Sequence, residues 1–102
     1  MLPQPFLPLF PTQSVTAGTT YQNVALGKWE TPEGGVVHVT NAGSAIAYIA
    51  LGNSTTVATQ ATGIPILANT VVALSMRGDW NTVSVMSPGS TEVFITQGRY
   101  GH

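Results

Sequence analysis

Two histidines, four carboxylates and a scatter of serines are the side chains of this chain that could do chemistry. Nucleophilic catalysis needs a serine or cysteine touching a general base that an acid in turn orients. Serines are plentiful, but the bases are only His38 and His102, and no G-x-S-x-G elbow occurs. His38 stands between Val37 and Val39, so it reads as a strand histidine facing solvent or a subunit contact. A metal centre wants three or four convergent His, Cys or carboxylate ligands. Glu30, Glu33, Asp79 and Glu92 do not supply one by spacing, and Glu30 with Glu33 reads as a solvated loop. Paired carboxylates for glycoside cleavage meet the same objection. The expectation is therefore no catalytic residue, no metal ligand and no cofactor.

Four further features carry recognition chemistry. Asn53-Ser54-Thr55 fits the N-glycosylation sequon, a pattern that chance produces often. Arg77-Gly78-Asp79 has the letters of an integrin-binding tripeptide, and as a turn between strands it already has a structural reason to exist. Trp29 lies in a loop bounded by Pro32 and Gly34-Gly35. Loop tryptophans anchor interfaces because a large amphipathic ring gains much on desolvation. Trp29 either anchors a subunit or ligand contact or packs over the end of its own core. Trp80, at the start of a strand, reads as core or core edge.

The background to these residues is nearly uncharged. Seven of 102 residues are charged: Lys28, Glu30, Glu33, Arg77, Asp79, Glu92 and Arg99. Typical domains carry about a quarter. A surface of Thr, Ser, Asn and Gln does little to hold neighbours apart, which suits a protein packed into an assembly. Three scattered cations make no phosphate-tracking stripe, so nucleic-acid binding is not expected. No run of eighteen apolar residues spans a membrane, and the prolines near the start interrupt any secretory h-region. With no cysteine, stability does not come from cross-links. The length suits one domain with its own core.

The elements that must position these side chains read as short strands. Residues 14–26 predict two strands around a turn or bulge at Gly18, and residues 28–35 a loop. Residues 36–40 and 45–51 predict strands joined by the Asn41–Ser44 turn, read as an antiparallel hairpin. Val37 and Val39 share one face of the first; Ala47, Ile49 and Leu51 share one face of the second. Residues 52–63 form a polar link with one weak strand around Val57, and residues 64–67 an apolar corner. Residues 69–76, 80–86 and 91–96 predict three more strands, and residues 98–102 a short tail. Turn signals every eight to twelve residues and no helical period predict an all-β antiparallel sandwich, jelly-roll-like, over residues 13–102.

Residues 1–12 stand apart. Proline at 3, 5, 8 and 11 removes four backbone donors and excludes a helix or a central strand. Leu2, Phe6, Leu7, Leu9 and Phe10 are too apolar for a solvated tail. In polyproline II the first eleven residues would reach about 35 Å. The expectation is an extended Pro-rich arm that docks on a partner; the alternative is an arm laid back over its own core. Leu2, Phe6, Leu7, Leu9, Phe10 and Trp29 are the candidate protein-interface residues.

Four segments, V-V-H-V-T-N-A-G-S (36–44), A-Y-I-A-L-G (47–52), G-I-P-I-L-A-N (63–69) and V-F-I-T-Q-G-R-Y-G (93–101), resemble small all-β proteins encoded among the head genes of tailed bacteriophages. The resemblance covers about two-thirds of the chain and rests on strand-and-turn chemistry. It implies a virion structural protein, a capsid decoration or head-fibre-base component, on the outer capsid surface. Its implied partners are the major capsid protein and further copies of itself, often as trimers. The alternatives are a receptor- or glycan-binding module of a head fibre or tail, or a neck or adaptor ring.

Overall fold

Nine strands emerge from the alternating β-branched segments. The computed structural model describes residues 6–29 and 33–100, and among these there is no helix. In chain order the strands are β1 (Phe6–Pro8), β2 (Gln13–Ala17), β3 (Gln22–Ala25), β4 (Gly35–Asn41), β5 (Ala47–Gly52), β6 (Ile64–Ile66), β7 (Thr70–Met76), β8 (Thr82–Met86) and β9 (Thr91–Tyr100).

They form two antiparallel sheets. In the first, β9 and β4 are central and β7 forms one edge. Its other edge is made by β1 and β2, which lie end to end along β9: Pro8 pairs with Gly98 and Gln13 with Ile95. The second sheet runs β3-β8-β5-β6. All-β class and the two-sheet sandwich thus follow the period-2 patterning, since each strand has one apolar side to bury.

The core lies between the inner faces. Val37, Val39, Val93 and Ile95 of the first sheet meet Ile49, Ile66, Val83 and Val85 of the second, and all eight are fully buried. Burying each such side chain is worth about 1.5–3 kcal/mol. The faces assigned from sequence to Val37 with Val39, and to Ala47 with Ile49, are those observed.

Several local readings need correction. The 36–40 and 45–51 strands are not a hairpin: β4 pairs with β7 and β9, whereas β5 pairs with β6 and β8 in the opposite sheet. The turn between them is a sheet-to-sheet crossing, because both sides of β4 are taken by β7 and β9 and both sides of β5 by β6 and β8. Residues around Val57 form no strand; Ala58 instead donates its N–H to Ser84 Oγ at 2.9 Å. The corner at 64–66 is the edge strand β6, where Pro65 is tolerated because an edge has a side without ladder bonds. β9 continues through Gly98 to Tyr100, since β1 and β4 both supply partners beyond Thr96.

Two backbone positions set the turns. Gly34 enters β4 at a φ of 78°, and a side chain there would strike the Met76 carbonyl. Asn69, at φ 58°, reverses the chain between β6 and β7.

Candidate interaction surface

The two sheets treat their outer faces differently. On the first, Ser14, Phe94, Thr40 and Val71 form one row across four strands, with Thr96, His38 and Ala73 in the next. Val71 is 60% exposed and Phe94 37%. Glu92 closes one end of this face, its Oε2 accepting the Thr16 hydroxyl at 2.8 Å. On the second sheet, the segment between β5 and β6 lies across the outer face. Ala58 and Ser84 are buried together there, and the Asn23 amide reaches the Ser54 carbonyl at 3.3 Å. Among the described residues, one outer face is therefore covered by the chain itself and the other has no segment laid across it.

Lys28, Glu33, Arg77 and Asp79 line clefts at one end of the sandwich. Glu33, Arg77 and Asp79 border one cleft, and an adjoining cleft of about 260 Å³ runs between residues 26–29 and 78–81. Arg77 Nε sits 3.2 Å from Asp79 Oδ1, and its guanidinium lies 5.8 Å from the Trp80 ring centroid. Both ends of that ion pair are exposed, so solvent screens it to a small contribution.

Among the residues singled out for chemistry, Glu30 and His102 lie outside the described residues. His38 is half-buried on the outer face of β4, with Thr96 and Ala73 as its register neighbours. Among the described residues, no three His, Asp or Glu side chains group as metal ligands. Arg77-Gly78-Asp79 is a turn between β7 and β8, as read. In the sequon, Asn53 Oδ1 accepts the N–H and hydroxyl of Thr55 at 3.0 and 2.6 Å, forming a local turn.

The candidate interface residues fall in three places. Leu2 lies outside the described residues. Phe6 and Leu7 belong to β1 and so run along β9 of their own domain. Leu9 is half-buried and donates its N–H to the Gln97 carbonyl at 2.9 Å. Phe10 is 37% exposed, with its ring laid on Gly27. Trp29 is 6% exposed; its ring packs on Gly35 and its Nε1–H donates to the Trp80 carbonyl at 2.8 Å.

Two residues of consequence were missed from sequence. Asn41 is fully buried, and its Nδ2 donates to the carbonyls of Ala45 and Ile66 at 2.8 and 3.0 Å. Its Oδ1 accepts the Gly43 N–H and the Thr91 hydroxyl, so all four of its hydrogen-bonding positions are used. Gln97, 2% exposed, exchanges two 2.8 Å bonds with the backbone N–H and C=O of Gly27. The signal was present in the alternation: Val37, Val39, Asn41 and Val93, Ile95, Gln97 each continue an inward-facing series.

Comparison of the chain with protein-family models, curated proteins and solved structures returns no match.

Proposed function

We propose that this chain is a structural protein of a tailed-bacteriophage virion, a capsid decoration protein without enzymatic activity. In this reading it binds the major capsid protein on the outside of the shell through the open face of its first sheet. The observation that carries the proposal is the contrast between the outer faces. Among the described residues, a whole segment covers one sheet, while the outer face of the other keeps Phe94, Val71 and Ala73 exposed beside half-buried Val36 and threonines. Apolar surface of that kind gains on association, and few charges have to be desolvated there.

The strand order supports a finer reading of the fold. Taking β2 to β9 as eight consecutive strands, β2-β9-β4-β7 and β3-β8-β5-β6 are the sheets of a double Greek key. That is a jelly roll, an architecture frequent in viral capsid and lectin domains. The interface is drawn without Trp29, whose ring is turned into its own domain. It is drawn on the sheet face rather than on residues 6–9, whose backbone runs along β9.

The test is to mix the full chain with empty capsids of its phage and image them by cryo-electron microscopy. Density repeating over the shell, with the first sheet facing it, is the expected result. Thr40→Lys combined with Phe94→Ser should weaken binding at least tenfold, about 1.4 kcal/mol, at unchanged melting temperature. A bare shell, or binding that this double variant leaves intact, overturns the proposal.

A second reading, a glycan-binding module of a head fibre or tail, is favoured by the cleft beside Trp80. Aromatic surface and the polar groups of Asp79 and Asn81 lie together there. Saturable sugar binding lost in Asn81→Ala would select it over the shell reading.

A further inference from the structure

The first sheet ends on β7, which among the described residues pairs with β4 alone. A strand edge presents unpaired N–H and C=O groups, and proteins guard such edges with charges, prolines, bulges or cover. β7 has none of these in its sequence: Thr70-Val71-Val72-Ala73-Leu74-Ser75-Met76 carries no charge and no proline. Its register with β4 runs unbroken from Thr70 to Met76, without a bulge. The emptiness extends beyond the strand, because residues 34–76 contain no Asp, Glu, Lys or Arg at all. Leu67, 62% exposed, and Ile64, 41% exposed, add apolar surface along the same side of the sandwich.

We propose that β7 is a self-pairing edge: two copies of the chain join β7 to β7, antiparallel about a two-fold axis at Ala73, into one continuous sheet. The sequence is compatible with its own reversal. In that register Ala73 faces Ala73, Val72 faces Leu74 and Val71 faces Ser75. The smallest side chain sits on the axis, where the residue meets its own copy. Val72 and Leu74, both half-buried against the core, meet across the new ladder and extend the core into the partner. In an isologous contact residue i meets j and j meets i, so a charge at the axis would meet its own copy and any charge would be doubled along the one seam. An edge with no charge is the kind that avoids this repulsion. Edge pairing also leaves the outer face of the sheet free and doubles its width. The inference stands independently of the shell reading.

The test uses the absence of cysteine from the native chain. Ala73 is exposed and tolerates a small replacement. Paired antiparallel residues have Cα atoms about 4.5–5.5 Å apart, within the range a disulfide bridges. Under mild oxidation, full-length Ala73→Cys should become a covalent dimer of twice the 10.6 kDa chain. Ser14→Cys, on the opposite edge of the same sheet, should not. By sedimentation velocity the unmodified chain should dimerise reversibly, and Ala73→Lys should weaken this at least tenfold with its circular dichroism unchanged. A monomer at all concentrations, a trimer, equal cross-linking at 14 and 73, or a dimer indifferent to Ala73→Lys would each overturn the proposal. Failure here leaves capsid binding by the unmodified chain untouched, so the two ideas fall separately.

Discussion

The two long edges of the sandwich are built on opposite plans. At one, β2 and β3 lie on different sheets yet are stitched together by side chains. Gln13 donates to the Ala25 carbonyl at 2.8 Å and Gln22 to the Thr16 carbonyl at 2.7 Å. β1 extends that edge along β9, with Pro8 and Pro11 breaking any regular ladder a stranger might add to. At the other edge, β6 carries a proline but β7 carries no charge, no proline and no bulge. The difference teaches that exposed sheet edge is not uniformly hazardous to this chain. It is closed where the domain completes itself and open where, on our reading, another chain completes it.

The open side is held from within, and removing its internal support should have the largest effect. Asn41 joins the end of β4 to β6 and to Thr91 at the start of β9, through four hydrogen bonds in a fully buried site. Truncating it leaves the carbonyls of Ala45 and Ile66 with no donor in place of the amide. Asn41→Ala should destabilise by about 3 kcal/mol. For a domain of this size that lowers Tm by about 15 °C. A loss under 1 kcal/mol in chemical denaturation would mean that the open side does not depend on an internal staple.

On the closed side the matching element is the Gln97 side chain, whose two bonds both go to Gly27. Its two bonds serve one residue rather than several elements, so Gln97→Ala should cost less, about 2 kcal/mol. Phe10, whose ring rests on Gly27, should become more mobile in that variant. If Gln97→Ala proved worse than Asn41→Ala, the closed edge would be the weaker half and the comparison would invert.

How much of this was legible in the sequence depends on the range of the interaction. Faces of strands follow from period 2, so Val37 with Val39, and Ala47 with Ile49, were placed correctly from spacing alone. Pairing was not legible. Asn41 to Ser44 has hairpin-like turn composition, yet the strands it joins go to different sheets, a choice made by the distant partners β9 and β8. Asn41 itself was read as a turn former when its position continued the inward series, because local turn chemistry and core alternation predict the same residue for different reasons. The arm composition pointed away from the domain. Pairing of Phe6 to Pro8 with β9 depends on Gly98 to Tyr100, residues read as a tail. The contrast between covered and open outer faces was invisible, since it turns on where residues 53–63 lie in space.

The smallest expected effect concerns the closed edge itself. Gln13 and Gln22 are exposed, and a hydrogen bond from an exposed amide replaces one to water at little net gain. Gln13→Ala with Gln22→Ala should therefore cost no more than about 1 kcal/mol and lower Tm by a few degrees. The informative readout is association rather than stability. If the edge is closed by β1, the prolines and the crossing of β3, the double variant should sediment as the unmodified chain does. The glutamines would then be trim on an edge already sealed. A new, larger species appearing only in the double variant would show that two neutral side chains were guarding the edge. The asymmetry between the two sides would then rest on replaceable surface residues rather than on the path of the chain.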